Sequence, residues 1–220
     1  MKKLLSIVLT LIIAIAPVMV NTETADAKDY YRSFSKLAKH QTRGEDYYIN
    51  KYDGPSNTAV IAIHAGQIEL QTGELAATIA DWTGSDLYTF EGIKNRNNGI
   101  LHVTSTRFNE PVARSLVTQS NKTLSIHGCT GDRAVTYVGG QDTNLGKKIK
   151  ASLRDSGFKV LTPPKHLDGK NPKNICNKNA SGKGVQLELT VPLREQFVSD
   201  SRPTDTFYRY AAAVSKALQK

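Results

Sequence analysis

Two short apolar runs in this chain end in the same way. Thr58-Ala59-Val60-Ile61-Ala62-Ile63 runs into His64, with Gly66 two positions on; Leu124-Ser125-Ile126 runs into His127, with Gly128 next. Short apolar, partly β-branched runs read as buried strands, and a glycine at the exit lets the chain turn sharply. Two histidines carried to the ends of parallel strands can meet in one crevice, and open α/β sheets bind ligands outside the carboxyl ends of their strands. Glu69 follows His64 in the turn, before a helical pattern of Leu75, Ile79 and Trp82 begins. His64, Glu69 and His127 together offer two imidazoles and a carboxylate, the donor set of a catalytic zinc site with one position left open. The spacing is not that of a helical His-Glu-x-x-His site, and a strand-ending histidine bonded to a loop carboxylate is the plainer alternative.

The rest of the chain alternates between strand and helix. A helix is expected within Tyr31 to His40, strands over Ser85 to Phe90 and Ile100 to Thr106, and a helix from Pro111 to Ser120 opened by proline. Lys122 to His127 and Ala134 to Val138 read as strands. Asn144 to Ser156 is helical by the spacing of Leu145, Ile149 and Leu153, and Gly157 ends it. Val160-Leu161 is a short strand, Gly169 to Gly184 a long polar surface loop, Val185 to Val191 a strand and Asp205 to Lys220 a closing amphipathic helix. The pattern predicts one α/β domain with a mixed, mostly parallel sheet flanked by helices.

Residues 1–27 stand apart from that domain. Lys2 and Lys3 precede an apolar run from Leu4 to Ile15, and Ala25-Asp26-Ala27 has the small-x-small form of a cleavage site. The expectation is a signal peptide over 1–27, one domain over 28–220, and a secreted bacterial protein. An uncleaved anchor is the alternative, and the run is short for a span. The leader carries two basic and two acidic residues, so the full net charge of +9 stays with the domain. Such a charge steers and concentrates a polyanion, but does not by itself choose among nucleic acid, teichoic acid and a carboxylate polymer.

Three further sets of residues bear on chemistry. Val185, Leu187, Leu189 and Val191 share one face of their strand and Gln186, Glu188 and Thr190 the other. A carboxylate on a central strand is costly without a cation, a metal or donors. Glu188 is therefore a candidate general base beside a metal, or the partner of Arg194 in a structural ion pair. Arg107 and Arg194, each just after a strand, are candidate clamps for substrate carboxylates. His102 reads as a core or supporting histidine, and Glu74 as a helix-dipole partner or a support for the site. The two cysteines, Cys129 and Cys176, are expected to form a disulfide in an exported chain; Cys129 as nucleophile or ligand is the alternative.

Several of these stretches, in the same order, resemble the phage-derived poly-γ-glutamate hydrolase family. They are His64 to Glu69 with Thr72-Gly73-Glu74, then Leu101 to Pro111, Ser125 to Cys129 and Tyr137 to Gly140. Asn174 to Asn177, Gly184 to Leu189 and finally Arg194 complete the series. The resemblance implies a zinc-dependent hydrolase of zinc-carboxypeptidase-like α/β fold that cuts γ-glutamyl amide bonds. It implies Zn2+ on His64, Glu69 and His127, and Glu188 as the catalytic carboxylate. Ala65 and Gln67 stand where glycine-rich positions are expected. Poly-γ-glutamate is the expected partner, acted on by a monomer with no nucleic-acid partner and no membrane contact after cleavage. An amidase acting on peptidoglycan or small γ-glutamyl peptides, and a basic binding module without catalysis, are the competing readings.

Overall fold

The computed structural model describes residues 29–219. The expected signal peptide lies outside these. Seven strands form one sheet: β1 (Tyr47–Tyr52), β2 (Thr58–Gly66), β3 (Asp86–Gly92), β4 (Lys122–Cys129), β5 (Thr136–Gly140), β6 (Val160–Leu161) and β7 (Val185–Thr190). Their order is β1-β3-β2-β4-β7-β5-β6. The four central strands run parallel, while β1 is antiparallel to β3 and β5 to β7. This is the single-domain, mostly parallel α/β architecture expected from the alternating pattern.

The helices explain which strands are apolar on both faces. Helix α2 (Thr72–Thr83) carries the chain from β2 to β3, and α3 (Pro111–Gln119) carries it from β3 across to β4. Val60 and Ala62 of β2 pack with Leu75, Ala76 and Ile79 of α2. Ala59, Ile61 and Ile63 pack on the other face with Ala113, Leu116 and Val117 of α3. A strand covered on both sides reads as a continuous apolar run, as β2 does. On the α2 face, α4 (Thr143–Asp155) and α6 (Asp205–Leu218) complete the larger core. Because the chain leaves β2 for β3 on one side and reaches β4 on the other, the crevice between β2 and β4 is the topological switch point.

Four expectations change. The Ile100 to Thr106 strand is absent: a 3-10 turn, Asn98–Leu101, passes into irregular chain. The β-branched residues there have no neighbouring strand, and the Thr104 N–H donates to both Asp29 carboxylate oxygens at 2.9 and 3.0 Å. The first helix shrinks to one turn, α1 (Phe34–Leu37), capped by Ser33. The polar loop over 169–184 is only half a surface loop, since Asn174, Ile175, Cys176 and Asn177 are buried around a 3-10 turn. Strand β1, which has no clean alternation, was not expected at all.

The expected Cys129–Cys176 disulfide is also overturned: both cysteines are free. Cys176 packs against Gly184, next to the start of β7. Cys129 pairs with Thr190 at the other end, five rungs beyond the Leu124–Val185 pair. At the ordinary strand rise that is roughly 16 Å, against the Cα separation below about 7 Å that a disulfide needs.

Candidate metal centre and its crevice

His64 and His127 meet at the β2–β4 switch point. Gly66, in left-handed backbone (φ 64°), turns the chain out of β2; a Cβ there would sit 2.6 Å from the Gly92 carbonyl oxygen. The turn brings Glu69 back beneath the strand ends. Its Oε1 lies 2.9 Å from His64 Nδ1, and its Oε2 accepts the Gly128 N–H at 2.7 Å. His127 Nδ1 lies 3.2 Å from His64 Nδ1 and 3.7 Å from Glu69 Oε2. One ligand atom from each of the three residues lies within 4.8 Å of the others.

The outer contacts of both rings suit a cation at that point. His64 Nε2 is 3.0 Å from the Val103 carbonyl oxygen, which can only accept, so Nε2 carries a hydrogen. A neutral His64 therefore turns its Nδ1 lone pair inward. His127 Nε2 is 2.8 Å from the Ser125 hydroxyl, which leaves its Nδ1 inward as well. Burial, chiefly, holds the His127 imidazolium pKa down at about 3, so the ring is neutral. Burial alone would raise the Glu69 carboxyl, but the charge and hydrogen bond of His64, with His127 and His102 close by, hold it at about 2. Burial likewise opposes charge on His64, yet Glu69 raises its pKa above the ordinary value. Two inward nitrogens and an ionised carboxylate are satisfied together by one positive centre, and these residues fit a zinc ion.

His102 belongs to this assembly, although its segment is not a strand. Its ring lies on that of His64 with centroids 3.9 Å apart, and its Nδ1 is 3.0 Å from Asp29 Oδ1. Glu74 is exposed in the first turn of α2, in the dipole role. Sequence reading missed Asp29, Val103, Ser125 and Gln186. For Ser125 and Gln186 a signal existed: each stands two residues before a site residue, on the same strand face.

A cavity of about 1130 Å³ opens over the three candidate ligands and is lined also by Glu188, Arg107, Lys165 and Arg194. Glu188 is His127's neighbour across the β4–β7 ladder and is only 6% exposed. Burial first, and the Glu69 charge second, push its carboxyl well above the usual range. Among the described residues no ion pair joins Glu188 to Arg194. Arg194 is also buried, with Nε donating to the Leu189 carbonyl and Nη1 to that of Leu70. It packs flat on Gly128, where a Cβ would lie 2.7 Å from Cζ. Arg107 sits on the rim, its side chain 58% exposed and its Nη1 3.7 Å from Asp29 Oδ2. Burial, chiefly, pushes the Cys129 thiol up to about 12, unlike a reactive thiolate.

A family described as poly-gamma-glutamate hydrolase matches residues 31–214. The chain belongs to the poly-gamma-glutamate hydrolase family. The SPbeta prophage-derived UPF0714 protein YoqZ of Bacillus subtilis (strain 168) is 32% identical over 211 residues, spanning 92% of this chain and 76% of YoqZ. The UPF0714 protein YmaC of the same organism is 31% identical over 208 residues, 90% of this chain and 87% of YmaC. The structure of a bacteriophage poly-gamma-glutamate hydrolase superposes with a TM-score of 0.84 at 33% identity, covering 86% of this chain and 96% of that one. A zinc-free apo form of YndL superposes with a TM-score of 0.79 at 27% identity, covering 88% and 98%. As a family member the chain is an amide hydrolase with a polyglutamate substrate.

Proposed function

We propose that this poly-gamma-glutamate hydrolase is a secreted zinc enzyme that cuts γ-glutamyl amide bonds within the polymer. The observation that carries this reading is the convergence of His64, Glu69 and His127 at the switch-point crevice, with the buried carboxylate of Glu188 directly across the ladder from His127. The zinc-free description of the similar YndL structure supports zinc as the metal. His64 and His127, each through Nδ1, and Glu69 would hold it. Bound there, zinc supplies a Lewis acid that acidifies water and polarises the scissile carbonyl. Glu188 takes the proton from the attacking water as its oxygen bonds the carbonyl carbon. It returns that proton to the leaving nitrogen as the C–N bond breaks. A carboxyl of raised pKa suits both transfers.

Arg194 holds the substrate. Two of its donors are fixed on carbonyl groups, while Nη2 faces no acceptor among the described residues. That leaves it for a polymer carboxylate at the cavity wall. Arg107 and Lys165 extend the positive lining to the rim, which matches a substrate with one free carboxylate per unit. The apolar run from Leu4 to Ile15 and the small-x-small sequence Ala25-Asp26-Ala27 support action outside the cell.

The test is hydrolysis of poly-γ-glutamate by the purified protein lacking residues 1–27. Chain length should fall, chelator should stop it, and zinc should restore it. Unchanged cleavage in a protein that holds no metal overturns the zinc reading. Cleavage of small γ-glutamyl peptides but not of the polymer overturns the substrate.

A further inference from the structure

Along the cavity wall, which Asn174, Gln186 and Glu188 all line, a line of hydrogen bonds runs away from Glu188 into the folded half of the 169–184 segment. Gln186 Nε2 donates to Glu188 Oε1 at 2.7 Å. Asn174 Nδ2 donates to Gln186 Oε1 at 2.7 Å, and the Cys176 backbone N–H donates to Asn174 Oδ1 at 3.0 Å. Asn174, Gln186 and Glu188 are all buried. The order of donors along this line is determinate. Amide oxygen and nitrogen can exchange places by a flip, but a backbone N–H can only donate. The Cys176 N–H therefore fixes the oxygen of Asn174, which turns its NH2 toward Gln186. That fixes the oxygen of Gln186, which turns its own NH2 toward Glu188.

We infer that Gln186 and Asn174 are positioning residues for Glu188: the line pins Oε1 and keeps Oε2 as the oxygen presented to the cavity. The inference rests on the reading of Glu188 as proton carrier. Glu188 Oε2 receives no hydrogen bond from the described residues, while Glu188 itself lines the cavity. A carboxylate turning freely about its last bond would offer either oxygen and spend part of its time misaligned. Here the Gln186 amide holds one oxygen and leaves the other open to the cavity. The line also accounts for the burial of Asn174 in an otherwise polar segment. The segment is anchored in turn by Asn177, whose Nδ2 donates to the Gly169 and Asn171 carbonyls at 2.8 and 3.0 Å.

The experiment is a double-mutant cycle on the zinc-loaded protein acting on poly-γ-glutamate, with kcat, KM, zinc content and melting temperature measured together. Gln186→Met keeps the length of the side chain and removes its donor. It should lower kcat about 10- to 100-fold, the scale of a misaligned catalytic group, and leave KM and zinc content unchanged. In a Glu188→Gln background the same change should cost no further turnover, because it acts only through the carboxylate. Asn174→Ala provides the second variant and should behave alike, with a smaller loss. A drop of equal size in both backgrounds, or unchanged kcat in a folded Gln186→Met protein, overturns the positioning role. Near-normal turnover of Glu188→Gln alone overturns instead the reading of Glu188 beneath it.

Discussion

Glu69, partly buried, and Glu188, buried, line the same strand-end crevice, and their surroundings push them in opposite directions. Glu69 faces His64, His127 and the Gly128 N–H, and its carboxyl is held at about 2. Burial first and the Glu69 charge second raise the Glu188 carboxyl well above the usual range, and the Gln186 amide bond offsets only part of this. An ionised carboxylate among imidazoles suits a cation; one that can gain and lose a proton suits transfer chemistry. The contrast separates a holding role from a reacting one within a single crevice.

The sharpest way to break that contrast is to remove a holding group. His127→Asn takes away an inward nitrogen, and a two-ligand remnant holds zinc poorly. Metal content by elemental analysis should fall to near zero and turnover with it. Full zinc occupancy in this variant would place the metal elsewhere. The next largest effect belongs to the reacting carboxylate. Glu188→Gln keeps the shape but not the basic oxygen, so kcat should fall about 10²- to 10⁴-fold, with zinc content and KM little changed. If metal is lost instead, Glu188 is a holding residue and the contrast fails.

A smaller effect probes the wall between the two carboxylates. Gly128 donates to Glu69 and lies under the Arg194 guanidinium. In Gly128→Ala the new methyl would stand 2.7 Å from Arg194 Cζ, so the guanidinium must move off its carbonyl partners. Overpacking of this kind costs about 1–3 kcal/mol, visible as a lower melting temperature. KM for poly-γ-glutamate should rise about tenfold if one charge-assisted contact is lost. A lower melting temperature with unchanged KM would remove Arg194 from substrate binding.

Much of this arrangement was legible in the amino-acid order because it depends on local patterns. β2 and β4 announce themselves as apolar runs ending in histidine, and α2, α3, α4 and α6 by periodicity, Pro111 and Gly157. What escaped depends on partners distant in sequence. Val103, Thr104 and Thr106 have strand composition, but Asp29, 75 residues before Thr104, takes the donors a ladder would have used. Strand β1 alternates in burial only from Tyr47 to Asn50, and Lys51 and Tyr52 are both exposed, so its period-two signal is too short to read. Cys129 and Cys176 are two cysteines in an expected export context, yet they sit at opposite ends of one strand ladder. Asn174 reads as a loop residue until its amide is seen buried against Gln186.

The smallest effect on activity concerns Asp29, which lies on the far side of His102 from the holding carboxylate. Its side chain is 1% exposed. It accepts from the Thr104 N–H and hydroxyl and sits 3.0 Å from His102 Nδ1. Burial opposes ionisation, but the bonds from His102 and Thr104 outweigh it and lower the carboxyl pKa below its ordinary value. A carboxyl depressed on folding binds its proton more tightly in the unfolded chain. Its contribution to stability is therefore present above the unfolded pKa and fades as pH falls through the folded one. Asp29→Asn keeps the shape and turns one acceptor into a donor facing Thr104. Near neutral pH this should cost about 1.5–3 kcal/mol, the range for hydrogen bonds to a charged group. Zinc should stay bound, because Asp29 is no ligand, and kcat should fall only a few-fold as His102 and the Val103 carbonyl loosen behind His64. The difference in melting temperature between the two proteins should shrink as pH is lowered from about 5 to about 3. A difference that stays constant across that range would mean that the Asp29 charge contributes nothing and that shape alone holds the 102–104 segment against the site.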